Sequence, residues 1–543
     1  MVTWRSVSAA LLLALAGAGC AGSSPDPRGD ASDTVRGVVF HDRDGDGRRG
    51  RWEFGLHGVA VSNGREVVRT NWHGRYRLPI SDDSIVFVVK PCGYATPVNQ
   101  HELPRFHRIH KPAGSPAGLR YPGVPPTGPL PASVDFPLTR QRERDRFEVL
   151  VFGDTQPYTT HEIDLFSRDV LAELIGTDAA FGISLGDLVG DDLSLFDPLN
   201  AAIGQLGIPW YNVPGNHDMN YLAKDDAHAD ETFERVFGPG TYAFEYASVH
   251  FVILDDVVYG GATGERATTQ NYVGGLSDDQ LSFVRNYLAG VPRDHLVVVA
   301  MHIPLDGPGP RLDVPQRGEL LEILAEHPNN LSIAGHLHTQ GHRFFGADDG
   351  YPAAEPHHHW IAGTTSGSWW LGVADELGIP HATMRDGTPN GYAYLAIDGN
   401  SYKIRYKAAR RPADYQMNVF LPDTLSASAA KPREVLVNVF AGSEQTLVEM
   451  RLAREDSWTP LQRVLRPSPD FVELRRREAA GAEKPDRPLP PADPSTHLWR
   501  GTLPAVLPVG SHTLLVRATD PFGGVFRARR ILRVEDIPAD ETP

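Results

Sequence analysis

The sequence predicts a multidomain chain in which a central layered α/β domain is flanked by an N-terminal and a C-terminal β-sandwich. Three observations predict it. At 543 residues the chain is too long for one hydrophobic core. Its 53 Gly and 45 Pro favour turns and β-rich modules over a helical bundle. Between residues 146 and 408 buried-type apolar runs alternate with helical spacing, whereas on either side short runs alternate apolar and polar residues between turn signals.

Residues 1–19 read as a secretory signal: Arg5, an apolar run from Val7 to Ala18 too short to span a membrane, then small residues. Cys20 opens a polar tether over 20–33 and resembles the lipidated cysteine of a bacterial lipoprotein, although Gly17 stands where that motif usually carries Leu. The expectation is an exported protein, anchored to a membrane through Cys20 and facing the periplasm or the cell exterior. Cys92 is the only other cysteine, so a chain processed at Cys20 has no internal disulfide and relies on packing and metals.

Residues 34–100 carry short alternating runs separated by turn residues, the pattern of a small β-sandwich. Within them, Asp42, Asp44, Asp46, Gly47 and Glu53 have the D-x-D-x-D-G-x5-E spacing of a twelve-residue calcium loop. No flanking helices are predicted, so the loop reads as a structural calcium clip, weakened by Arg48, Arg49 and Arg51. The Pro-rich stretch 101–145 is expected as a semi-extended linker packed on a neighbour.

From residue 146 the pattern changes. The run Phe147-Glu148-Val149-Leu150-Val151-Phe152 reads as a buried strand leading to Asp154. A helical pattern over 161–175, a strand at 181–185 leading to Asp187, a second helical pattern at 195–206 and a strand at 208–213 follow. That order implies an α/β layer with helices on both faces. Runs at 241–246, 249–254 and 295–301 are expected to continue the sheet. Ser277 caps a helix through 288, another helix covers 317–326, and a strand at 331–334 delivers Gly335. A hairpin spans 392–406. A linker is expected over 409–432 and a C-terminal β-sandwich over 433–540, with a charged, Pro-rich mobile insertion at 467–494.

Loops leaving the carboxyl ends of strands in such a sheet share one edge, where ligands bind. Asp154, Gln156, Asp187, Asn216, His302, His336 and His338 all occupy such loops. Carboxylate, amide oxygen and imidazole suit divalent first-row metals, and no thiolate competes. Seven donors exceed the needs of one ion and suit two ions that share a bridging Asp.

The blocks Gly153-Asp154-Thr155-Gln156, Gly186-Asp187, Gly215-Asn216-His217-Asp218, Met301-His302 and Gly335-His336-Leu337-His338 resemble, in order, the five motifs of the calcineurin-like metallophosphoesterases. On Gly58-Val59-Ala60-Val61 and Gly74-Arg75-Tyr76, residues 34–100 resemble the β-module that precedes the catalytic domain in some exported bacterial members. The resemblance implies that residues 146–408 form the metallophosphoesterase domain. It implies Asp154, Gln156 and His338 on one metal, Asn216, His302 and His336 on the other, and Asp187 between them. It also implies His217 as the acid that protonates the leaving oxygen, with Asp218 or Asp191 orienting its ring.

Gln156 replaces the commoner His, which tilts a pair of divalent or trivalent ions towards Mn or Fe over Zn. Gly190 stands where purple acid phosphatases carry a metal-binding Tyr, which argues against a ferric-tyrosinate centre. The implied activity is hydrolysis of a phosphomonoester or phosphodiester outside the cytoplasm. The alternative is a catalytically inert envelope-binding protein on the same scaffold; the intact ligand set and His217 favour the enzyme. A net charge of −16 argues against nucleic acid as the partner, and no obligate protein partner is evident. The run His357-His358-His359 reads either as approaching the site or as a polar surface loop. Trp369 and Trp370 read as domain-packing aromatics ahead of a substrate platform.

Overall fold

The structure is a computed structural model that describes residues 33–262, 271–427, 433–481, 485 and 487–536. The expected signal, Cys20 and the tether up to residue 32 lie outside the described residues. No helix among the described residues is long and apolar enough to cross a membrane.

The N-terminal module is a pair of four-stranded sheets. Strand Asp33–His41 pairs antiparallel with Arg75–Ile80 and parallel with Phe136–Arg140. In the second sheet Ser84–Val88 pairs with Ala60–Ser62 and with His107–His110. The stretch expected as a linker over 101–145 therefore supplies one strand to each sheet. Phe136 and Leu138 alternate inward and are buried, as a half-buried strand requires, but Pro131 before the strand and Pro137 within it conceal that period in the sequence. Between these strands the chain runs along the central domain, where the Lys111 ammonium pairs with Glu231 at 2.5 Å.

The central domain holds two sheets. Parallel strands Trp210–Asn212, Phe181–Ser184 and Arg146–Phe152 continue antiparallel into the hairpin Gly391–Asp398 and Ser401–Ala408. Strands Tyr242–Tyr246, Val249–Ile253, Leu296–Ala300, Asn330–Ala334, His357–Ile361 and Gly341–Phe345 form a second sheet, in that order, and do not extend the first as expected. The reason lies in the faces. In Arg146–Phe152, Val149 and Val151 join a core with Phe251, Val298 and Ile333 of the second sheet. Leu150 and Phe152 point the other way, into a core with Phe166, Leu199 and Trp210. Both faces are thus apolar, one for a sheet and one for helices. The helical layer consists of Thr160–Phe166, continued through a π-turn at Ser167–Leu171, and Phe196–Ile203. Asp278–Leu288 and Arg317–Leu324 pack their apolar faces into the core of the second sheet. Each Val, Leu or Phe so buried contributes about 1.5–3 kcal/mol.

His357, His358 and His359 lie in an interior strand of the second sheet and are all buried, so they neither approach the strand-end rim nor form a surface loop. The Ser332 hydroxyl sits between His357 Nε2 (2.6 Å) and His359 Nδ1 (2.7 Å).

The C-terminal module packs two sheets around Val437, Met450, Leu514 and Val516. The expected linker at 409–432 supplies strands Met417–Phe420 and Thr424–Ser426. The expected mobile insertion contains helix Pro469–Ala480, anchored by the buried Phe471.

Candidate metal centre

The sequence order of the strands and their parallel pairing bring five strand ends to one rim. Arg146–Phe152, Phe181–Ser184 and Trp210–Asn212 deliver Asp154, Asp187 and Asn216. Leu296–Ala300 and Asn330–Ala334, from the second sheet, deliver His302 and the pair His336 and His338. The two sheets meet across the rim: His302 Nδ1 lies 2.8 Å from the Leu185 carbonyl, and the His336 N–H donates to Asp154 at 2.9 Å.

The backbone is strained where these side chains emerge. Asp154 (φ 34°), Gln156 (38°), Asp187 (48°), His336 (72°) and His338 (53°) all adopt the left-handed region that non-glycine residues avoid. Such residues cost of order 1–3 kcal/mol each and persist where the surroundings over-determine them. The sharp turns aim the side chains at one place.

The seven predicted donors meet there in two groups. His302 Nε2 lies 3.1 Å from Asn216 Oδ1, 3.0 Å from His336 Nδ1 and 3.2 Å from Asp187 Oδ1. His338 Nε2 lies 2.9 Å from Gln156 Oε1 and 3.6 Å from Asp154 Oδ1. Donors about 2.0–2.2 Å from a common ion stand about 3 Å from one another, so the set fits cations. The rings are held for that purpose: Nδ1 of His302 faces the Leu185 carbonyl and Nδ1 of His338 the Gly367 carbonyl (2.6 Å), leaving each Nε2 lone pair free.

The electrostatics agree. Burial pushes the Asp154 carboxyl up to about 7. Burial alone would lower His302, but the Asp187 charge outweighs it and raises the imidazole to about 10. Buried carboxylates of this kind call for positive charge, which protons on His302 and His217 supply when cations do not.

His217 stands beside the donors, with Nε2 3.9 Å from Asp187 Oδ2. Its Nδ1 donates to Asp191 Oδ1 at 2.5 Å, and Asp191 is itself held by the Tyr221 hydroxyl at 2.6 Å. Burial works against protonation of this ring, but the charges of Asp187 and Asp191 prevail and raise it to about 9. Asp218, expected at the catalytic step, does not touch the ring. Its carboxylate accepts the backbone N–H groups of Leu188, Val189 and Gly215 (3.1, 3.2 and 2.9 Å) and so ties two ligand loops together. Asp191 therefore orients His217, and Asp218 braces the backbone.

Two aromatic residues at the site, Tyr158 and Tyr272, escape a reading of the sequence for donors alone, and Trp369 stands closer to the donors than a packing residue would. The Tyr158 ring packs against Gly190, which has no side chain to obstruct it, and lies 6.4 Å from the His217 ring. Tyr272 lies 6.0 Å from the His336 ring. Trp369 stacks on His338 at 4.0 Å, whereas Trp370 is buried and donates to the Thr155 carbonyl at 2.9 Å. Only Trp370 is a packing residue in the expected sense. Tyr158, two residues after Gln156, was within reach of sequence reasoning; Tyr272 carried no signal.

The N-terminal acidic loop is ordered by its own backbone. Asp42 accepts from Gly45 and Gly47 N–H (2.8 and 2.9 Å), and Glu53 from Arg43 and Gly50 N–H (both 2.7 Å). Carboxylate oxygens of Asp42, Asp44 and Glu53 converge within 4.8 Å, and Asp46 stands outside that group. A third cluster, Asp83, His228 and Glu231, already holds a cation, since the Lys111 ammonium lies 2.5 Å from Glu231 and 3.0 Å from Asp83.

Comparison with known families matches three consecutive segments. The calcineurin-like phosphoesterase model matches residues 147–340. A model of the N-terminal part of calcineurin-like phosphoesterases matches 44–121, and one of their C-terminal part matches 359–526. The chain is 28% identical over 166 residues to the 3',5'-cyclic adenosine monophosphate phosphodiesterase CpdA of Escherichia coli, strains K12 and O157:H7. The match covers 29% of this chain and 54% of either relative, so the chain spans about half their length. Among solved structures, the purple acid phosphatase PPD1 from yellow lupin (Lupinus luteus) is 13% identical, with 69% of this chain and 67% of that one covered at a TM-score of 0.35.

Proposed function

Because the chain belongs to the calcineurin-like phosphoesterases, we propose that it hydrolyses a phosphate ester with a dinuclear metal centre. The observation that carries this reading is the convergence of seven donors in two groups, His302 with Asn216, His336 and Asp187, and His338 with Gln156 and Asp154. Asp154, Gln156 and His338 would hold one cation, Asn216, His302 and His336 the other, with Asp187 between them. Bound there, a pair of divalent ions supplies positive charge to the phosphate oxygens and lowers the pKa of water.

The chain's own residues do the rest. His217, protonated near neutral pH and held through Nδ1 by Asp191, presents its Nε2 proton to the leaving oxygen. Asp218 fixes the turn that carries both Asn216 and His217. Oxygen donors outnumber imidazoles in the set, which favours Mn or Fe over Zn.

The test is turnover of p-nitrophenyl phosphate, bis(p-nitrophenyl) phosphate and a cyclic nucleotide by manganese-loaded protein, with metal content measured on the same sample. Activity that falls about 10²–10⁴-fold in His217→Ala at unchanged metal content supports the reading. Full metal content with no turnover of any of these esters points instead to an inert binding scaffold.

Two further proposals concern the ends of the molecule. Cys20 becomes the lipidated first residue of an exported protein, which Cys20→Ser should release from the membrane fraction. The Asp42, Asp44 and Glu53 oxygens hold a structural calcium ion. At a hundredfold excess over Kd calcium should then stabilise the protein by about 2.7 kcal/mol, and Asp42→Asn should abolish the effect.

A further inference from the structure

Two arginines stand over the tyrosines that border the metal centre. The Arg487 guanidinium lies 4.4 Å from the Tyr158 ring, and the Arg311 guanidinium 4.5 Å from the Tyr272 ring. They come from distant parts of the chain: Arg311 from the loop after His302, and Arg487 from the segment that follows helix Pro469–Ala480 in the C-terminal module. Both are exposed. Both are also held in place. Arg487 pairs with Glu162 at 3.3 Å, and Glu162 accepts the Tyr158 N–H at 2.5 Å. Arg311 Nε donates to the Tyr272 carbonyl at 2.9 Å, and among the described residues no carboxylate lies within 4.0 Å of it.

Each stack thus leaves most of a five-donor guanidinium facing solvent beside the site. One stack adjoins His217 and the other adjoins His336. The contact with the tyrosine ring positions each guanidinium without consuming its N–H donors. In a chain of net charge −16, two oriented arginines at one rim are not explained by solubility. They are explained by an anion. Cations held by the donor set would account for the scissile phosphate, which leaves the arginines for a second negative group on the same molecule.

We propose that Arg311 and Arg487 select phosphate esters that carry a second anionic group next to the scissile phosphate, as a pyrophosphate linkage does. The proposal rests on the phosphoesterase reading above. Trp369, stacked on His338, adds an aromatic face against which a planar group of such a substrate can lie.

The test compares the manganese-loaded protein with Arg311→Gln, Arg487→Gln and the double variant. Substrates are bis(p-nitrophenyl) phosphate, with one negative charge, and a nucleotide sugar, with a diphosphate. Charge-assisted hydrogen bonds of this kind are worth about one to two powers of ten each. The double variant should therefore raise KM for the nucleotide sugar at least about tenfold and leave bis(p-nitrophenyl) phosphate within about threefold. Inorganic pyrophosphate, read by calorimetry, should likewise bind wild type more tightly than orthophosphate and lose that advantage in the double variant.

Equal effects on both substrates, or no preference for pyrophosphate in wild type, overturn the proposal. If wild type cleaves neither ester, the phosphoesterase reading fails. The pyrophosphate measurement still decides in that case whether the arginines bind a second anion. Both side chains are exposed, so the glutamine variants should fold, and thermal melting equal to that of wild type checks this.

Discussion

The second sheet carries two histidine triplets with opposite fates. His302, His336 and His338 leave the carboxyl ends of its strands; His357, His358 and His359 lie within one of them. Both sets are largely buried, so burial does not separate them. The partners of the ring nitrogens do. In the interior triplet, His357 Nδ1 meets Asn330, its Nε2 meets Ser332, His358 Nδ1 meets the Tyr402 hydroxyl at 2.8 Å, and His359 Nε2 accepts the Leu305 N–H at 3.3 Å. At the rim, His302 Nε2 finds Asn216, Asp187 and His336, other would-be ligands of the same ion. A buried histidine whose nitrogens are matched one by one is part of the core. A buried histidine that faces only other lone pairs is waiting for a cation.

The comparison breaks most sharply under substitution. His302→Ala should remove metal and leave no measurable turnover, whereas His359→Ala should retain the metal stoichiometry and most of the activity. The cost of His359→Ala should appear as stability, about 1–3 kcal/mol in urea unfolding, because Ser332 and Leu305 each lose a partner. Metal loss in His359→Ala equal to that in His302→Ala would erase the distinction.

A second pair sharpens the roles around His217. Asp191→Asn should lower kcat about 10–100-fold and change unfolding little, since the asparagine carbonyl oxygen can still accept from the Tyr221 hydroxyl while the charge that holds the His217 ring is lost. Asp218→Ala should instead lower stability by about 1–3 kcal/mol, because three buried N–H groups lose their acceptor.

The smallest effect is the most diagnostic of charge. Burial holds His357 near 3 in the folded chain, against about 6.5 when unfolded. The unfolded state therefore binds the extra proton, and this contribution to stability, complete above pH 6.5, is lost as pH falls towards 3. His302 has the reverse sign: raised to about 10 by Asp187, it stabilises fully below pH 6.5 and loses that contribution as pH rises through 10. In chelator-stripped protein, melting temperature against pH should fall on both sides. His302→Gln should flatten the alkaline arm, and His357→Gln the acid arm.

The donors were legible in the sequence because each follows an apolar strand at once, and strand ends in such sheets share an edge. Asp154 after Phe147–Phe152 and His336 after Leu331–Ala334 needed nothing more. The existence of two sheets was not legible. Leu296–Ala300 is apolar on both faces, and an apolar face does not say whether a helix or another sheet will cover it. The strands His107–His110 and Phe136–Arg140 were hidden by the prolines between them. Asp218 adjoins His217 in the sequence and Asp191 lies 26 positions before it, and only the packed loops show that Asp191 is the one that reaches the ring. Arg487 lies 329 positions after Tyr158, so its stack exists only because the C-terminal module folds back over the rim.

The most direct test is the manganese content of wild type beside Asp187→Ala. Two ions per chain in wild type, magnetically coupled in their electron paramagnetic resonance spectrum, and loss of that coupled pair in the variant are expected. A wild type with one ion or none, or a variant that keeps two coupled ions, would contradict a centre built on a shared Asp187.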